Sequence, residues 1–206
     1  YEGFGIGEKN PADLDSRMYT GLRELKENAT DSRLVKPLYL CEYAHAMFNS
    51  MGSVEDYNVL FDEYPSLLGG CIWEWQDQGL WNRRNPGHPI IAFGGGFGEY
   101  PNDHYFIHKG VVFSDRSPKP HYPELKRAYQ WIRVKGKDLE HGVVTIKNAY
   151  QFIDLGGFDG KWVISENGIP IDSGKIDPGP IAPQEEKDVT IPTRVVHRNK
   201  AAEYFL

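Results

Sequence analysis

Two textures meet near residue 131, and that junction restricts what the chain can fold into more than any other feature. Up to about Trp131, apolar strand-like runs alternate with amphipathic helical stretches. That alternation is the pattern of βαβ units around a parallel sheet. Beyond it come short β-rich runs, WIRVKG, GVVTIKNAY, KWVIS and KDVTIP, separated by Gly, Pro and Asn-Gly signals, which read as a β-sandwich. The expected fold class is α/β plus all-β, with one domain over residues 1–131 and a second, truncated one over 132–206.

Within the first part, PLYLCE (37–42) is the clearest strand. Ser53 followed by Asp56 resembles a capping box, and Val54, Tyr57, Phe61 and Tyr64 mark one helical face until Pro65 ends it. LLGGCIWEW (67–75) reads as the next strand. SRMY (16–19) is a weaker strand before a helix carrying Leu22, Leu25 and Ala29 on one side, and Tyr122, Leu125 and Tyr129 form a later apolar stripe. Three strand-then-helix units result. In the second part Asn167-Gly168 is a two-residue hairpin turn, and PGPIAP is a loop.

Composition removes several functions. Lys plus Arg number 23 against 29 Asp plus Glu, a net charge of −6, so no basic face is available for nucleic acid. No apolar run approaches the roughly 20 residues that span a bilayer, and the start lacks a signal-peptide order. The chain opens at Tyr1 without a methionine and closes on EYFL, as a piece of something longer would. Cys41 and Cys71 are too few for a disulfide framework and read as small buried hydrophobes.

The chemistry gathers around Glu42. It closes a strand, where an α/β barrel presents catalytic side chains; the competing reading is a structural glutamate paired with an arginine. Tyr43, His45, Asn49 and Ser50 supply donors within one loop, suited to keeping a partly buried carboxylate ionised as a nucleophile. Strand alternation puts Leu38 and Leu40 on the side of Glu42 and Cys41 on the other. It also puts Cys71, Trp73 and Trp75 opposite Ile72 and Glu74, so Glu74 is not expected as a second catalytic carboxylate. Indole faces suit the C–H face of a sugar. GGGFGEYPND (94–103) fits no phosphate-loop spacing and reads as a tight rim loop. His104 and His108 have a metal-pair spacing in what reads as strand or loop, so no metal ligands are assigned.

Together KPLYLCEYAHAMFNSMG, GGCIWEWQDQGL, AFGGGFGEYPND and GVVFSDRSPKPHYPELK, with the opening YEGFG and SRMY, resemble the large bacterial β-galactosidases of glycoside hydrolase family 2. The resemblance implies a partial (β/α)8 TIM barrel, about strands six to eight, followed by an immunoglobulin-like β-sandwich. It makes Glu42 the nucleophile of a retaining hydrolase acting on a galactoside. Tyr19, after Met18 at the end of strand six, would donate a hydrogen bond to Glu42. His45 would bind sugar hydroxyls, Trp73 would floor the sugar subsite, and Phe106 and Lys109 would lie near the primary hydroxyl. The acid/base glutamate and the magnesium ligands of the family fall upstream of Tyr1, so the piece alone is expected to be inactive and without cofactors. The family commonly uses magnesium and sodium; where its best-known members place an asparagine on sodium, this chain has Lys109, whose ammonium is expected to replace the ion. The parent is expected to be a homo-oligomer in the cytoplasm or periplasm of a bacterium. Two alternatives stand: another family 2 β-glycosidase, such as a glucuronidase or mannosidase, or a non-catalytic carbohydrate-binding or assembly module. The module would expose aromatic residues on one sandwich face, whereas Trp131 and Trp162 read as core and junction residues.

Overall fold

A computed structural model describes residues 4–193 and 199–206, so the first three residues of YEGFG and residues 194–198 lie outside the described residues. The chain divides into two compact units, Tyr1–Tyr129 and Gln130–Leu206.

The first unit is built on three parallel strands, β1 (Asp15–Met18), β2 (Leu38–Tyr43) and β3 (Leu67–Ile72), in that spatial order. Helix α1 (Leu22–Ala29) connects the first pair and α2 (Val54–Glu63) the second. Leu38, Leu40 and Tyr43 of β2 are buried with Leu25, Val54 and Leu67, and Tyr57 and Phe61 of α2 pack against them. Close approach of β3 to β2 requires Gly70, where a Cβ would stand 2.9 Å from that of Leu40. Among the described residues no helix is long and apolar enough to cross a membrane.

Four local expectations give way. The capping box does not form: Ser53 takes a left-handed conformation (φ 55°) and its side chain caps nothing. Glu55 and Asp56 in the first turn still suit the helix dipole. Strand β3 stops at Ile72 rather than continuing to Trp75. Cys71 is exposed and Cys41 half-buried, because both lie on the side of the sheet away from the helices; the Cys71 Sγ lies 2.6 Å from the Tyr39 hydroxyl. The fourth lies in the long connection after β3. A hairpin of β4 (Leu80–Asn82) and β5 (Ile90–Ala92) and a 3-10 turn at His104–Ile107 intervene before α3 (Tyr122–Ala128). His104 therefore sits in a helical turn and not in a strand.

Among its described residues the second unit has two antiparallel three-stranded sheets. One holds β6 (Ile132–Asp138), β7 (Val143–Asn148) and β10 (Glu186–Thr190), ordered β10-β7-β6; the other holds β8 (Gly160–Glu166), β9 (Ile169–Ile176) and β11 (Tyr204–Phe205), ordered β11-β8-β9. Val144 and Ile146 of the first sheet share a core with Trp162 and Ile164 of the second. The turn between β8 and β9 places Asn167 and Gly168 at φ 48° and 83°, the double positive φ of a tight hairpin. Asn148, fully buried, ties two loops by donating to the carbonyls of Ile153 and Ile181 at 2.8 Å each. Of the two tryptophans read as core and junction residues, Trp162 is buried and Trp131 is half-exposed.

Candidate active site

Strand ends set the position of Glu42. The parallel register pairs Met18 with Glu42, after an irregularity at Arg17/Met18. A second irregularity, between Leu40 and Tyr43, shifts the phase of β2. Tyr43 rather than Glu42 therefore joins Leu38 and Leu40 in the core, and the carboxylate turns to the opposite side from the one simple alternation gives. Tyr19 follows β1 at φ 54°, its amide donating to the Glu42 carbonyl at 2.9 Å. Its hydroxyl donates to Glu42 Oε2 at 2.7 Å. Withdrawal of the hydroxyl end from water, then the hydrogen bond and negative charge of Glu42, push the Tyr19 phenol well above its ordinary value. It stays a proton donor at every working pH.

Three loops are laced together beside this pair. Ala46 donates to the Trp73 carbonyl (2.8 Å), Trp73 to the Tyr43 carbonyl (3.0 Å) and Glu74 to the Lys109 carbonyl (2.9 Å). His45 lies against both neighbours, its ring 5.9 Å from that of Tyr19 and 6.3 Å from that of Phe106. Burial, followed by the charge of Lys109, holds the imidazole below its ordinary pKa, against the opposing pull of Glu42 and Glu74. The Met47 amide points at His45 Nδ1 over 3.4 Å, which leaves the proton of the neutral ring on Nε2. Lys109 is 8% exposed; its ammonium stands 4.8 Å from the Phe106 ring centroid and 5.4 Å from that of Trp73. Among the described residues this ammonium meets these two aromatic faces and no hydrogen-bond acceptor or carboxylate.

All seven sequence-selected residues, Met18, Tyr19, Glu42, His45, Trp73, Phe106 and Lys109, thus converge at the C-terminal ends of the parallel strands. Glu74 lies near enough for its charge to be felt there. Because β3 ends at Ile72, alternation no longer carries Glu74 away, and its charge acts on both Tyr19 and His45. One of its oxygens accepts from Gln78 at 3.1 Å; the other is buried without a partner among the described residues.

Residues 8–134 match the family profile "Glycosyl hydrolases family 2, TIM barrel domain", and residues 144–206 match "Beta-galactosidase, domain 4". The chain belongs to glycosyl hydrolase family 2. A beta-galactosidase of Priestia megaterium is 37% identical over 169 residues, covering 82% of this chain and 16% of the relative. One of Alteromonas mediterranea is 35% identical over 203 residues, covering 93% and 19%. A third, of Leuconostoc mesenteroides, is 40% identical over 159 residues, covering 76% and 15%. The chain therefore spans less than a fifth of the length of these family 2 relatives.

Sequence reasoning missed the strut that holds Lys109 in this family 2 site. Asp77, buried, accepts from Lys119 Nζ at 2.6 Å and from the Gly110 amide at 2.7 Å, and lies 3.4 Å from His108 Nδ1. A Cβ on Gly110 would come within 2.1 Å of the Asp77 amide nitrogen, so only glycine lets the segment after Lys109 pass this close. The residues lie 42 positions apart in sequence, and no local pattern links them.

Proposed function

We propose that this chain supplies the nucleophile side of a retaining β-galactosidase that hydrolyses terminal β-D-galactosyl residues. The observation that carries this reading is the 2.7 Å bond from Tyr19 to Glu42 at a strand end flanked by Trp73, His45 and Lys109. A Glu42 oxygen attacks the anomeric carbon as the glycosidic C–O bond breaks, and a carboxylic acid supplied from outside this chain protonates the leaving oxygen. The two carboxyls of such a pair stand about 5–5.5 Å apart. Water, deprotonated by that second carboxylate, then displaces Glu42 and releases the sugar. Tyr19 steadies the charge on Glu42 before attack and again as it departs. Trp73 offers its ring to the C–H face of the sugar, and the His45 Nε2–H donates to a hydroxyl. Without the second carboxyl the chain alone is inactive. The second unit, with a core shared by two antiparallel sheets, is read as an immunoglobulin-like sandwich beginning near residue 132.

The resemblance calls for sodium where Lys109 stands. The residues here do not fit it: an ammonium between two aromatic rings brings no oxygen ligand and repels a second cation. Among the described residues no group of three or more His, Cys, Asp or Glu gathers to hold a metal. We read the Lys109 ammonium as the donor to the sugar's primary hydroxyl. An ammonium with no carboxylate partner among the described residues also suits a second reading, a family 2 glycosidase for a uronic acid, whose carboxylate would pair with Lys109.

The test uses the full-length protein. Nitrophenyl β-galactoside hydrolysis should release the β-anomer first by NMR, and Glu42→Gln should lower kcat by about 10³-fold or more. Wild-type turnover by Glu42→Gln, or first release of the α-anomer, overturns the proposal. Preference for a nitrophenyl β-uronide over the galactoside selects the second reading.

A further inference from the structure

Among the described residues no hydrogen bond fixes the Lys109 ammonium, which meets only the faces of Trp73 and Phe106. Such faces attract a cation without prescribing the direction of its N–H groups. A lysine stem is also long and flexible. The place of this charge is therefore set by how firmly the backbone at residue 109 is held.

That backbone is gripped on both sides by one buried ion pair. The peptide unit before the Lys109 Cα offers its carbonyl, that of His108, to Lys119 Nζ at 3.2 Å. The unit after it is bound at both ends: the Lys109 carbonyl accepts from the Glu74 amide at 2.9 Å, and the Gly110 amide donates to Asp77 Oδ1 at 2.7 Å. Lys119 and Asp77 also pair with each other at 2.6 Å, and both are buried. Stability is a weak reason to keep such a pair, since apolar residues of similar volume are often as stable or more so. The two peptide groups it holds supply another reason.

Resting on the reading of Lys109 as the donor to the sugar's primary hydroxyl, we propose that Asp77 and Lys119 are positioning residues for that contact. They act through the peptide units flanking Lys109, and they set how strongly the site selects a glycoside with an oxygen at C6 over one without it.

The test compares kcat/KM for nitrophenyl β-galactoside with that for its 6-deoxy analogue in the full-length protein. Asp77→Leu combined with Lys119→Met removes both grips without leaving a buried charge. It should lower the ratio of galactoside to 6-deoxy analogue about tenfold, while the thermal midpoint holds. Asp77→Asn, isosteric but uncharged, should lower the ratio in the same direction. Lys109→Met should lower it at least as far as the double change, and adding the double change to Lys109→Met should lower it no further, because the pair acts only through that ammonium. An unchanged ratio in the double variant overturns the proposal, as does an equal loss on both substrates, which is what a purely structural strut gives. A further fall of the ratio on the Lys109→Met background overturns it too. A ratio that Lys109→Met itself leaves unchanged overturns instead the reading of Lys109 on which the proposal stands.

Discussion

Tyr19 is the residue whose chemistry is most constrained. Its hydroxyl has one acceptor, Glu42 Oε2, and its raised pKa keeps the proton in place. In the full-length protein Tyr19→Phe should therefore lower kcat about 10²-fold, the loss typical of one preorganised donor, while KM changes little, and steady-state kinetics will show the split. Lys109 sets a second expectation. Its charge helps hold His45 below the ordinary histidine value, so Lys109→Met should move the His45 titration upward, measured by the pH dependence of its ring NMR signals. An unmoved midpoint would show that burial alone lowers it. The sign for stability follows: a neutral folded imidazole faces an unfolded one that binds a proton first, so stability falls as pH drops below about 6.5. His121, lowered by burial and by Lys119, adds in the same direction. The convergence of Tyr19, Glu42, His45, Trp73 and Lys109 was legible in the quoted sequence blocks. The alternation that set Glu74 apart from the tryptophans has no strand to carry it past Ile72, where β3 ends.

Among elements, the least legible is the long connection between β3 and α3. Its anchor is a buried ion pair: side-chain exposures of Lys119 and Asp77 are 8% and 1%. Breaking such a pair leaves one charge uncompensated and costs about 3–5 kcal/mol. Asp77→Ala should destabilise the first unit by that much in urea unfolding. The double change Asp77→Leu with Lys119→Met should recover most of it, since neither charge is then buried. Equal stability of the single and double variants would mean that the Gly110 amide bond, and not the ion pair, carries the effect. The three parallel strands and their helices were readable because Leu38, Leu40, Leu25 and Val54 follow the strand and helix periods. The β4–β5 hairpin was not. Its residues are exposed or only partly buried apart from Ala92, and without a buried face there is no apolar pattern to read. The missing cap of α2 has a similar cause: Ser53 has the composition of an N-cap but a φ of 55°, set by the loop that carries Phe48 rather than by the helix.

For the molecule as a whole, the three-stranded parallel sheet is the feature with the largest physical consequence. Strands β1 and β3 are each hydrogen-bonded on one side only within the described sheet, and parallel sheets are ordinarily covered on both faces. Helices α1 and α2 cover one face through Leu38, Leu40 and Tyr43. On β3, Leu68 and Cys71 are exposed. Open strand edges beside uncovered apolar side chains pair readily with other chains. The second unit differs, since both its sheets bury a face in one core. Residues 1–206 expressed alone should therefore self-associate through the first unit. Light scattering should give a weight that rises with protein concentration, and Leu68→Lys should reduce it. Hydrogen exchange should remain slow in β7 and β8 throughout, because their core does not depend on the parallel sheet's edges. A constant monomeric weight would show that the edges are satisfied within the chain, and loss of protection in β7 and β8 on association would place the sticky surface in the second unit instead.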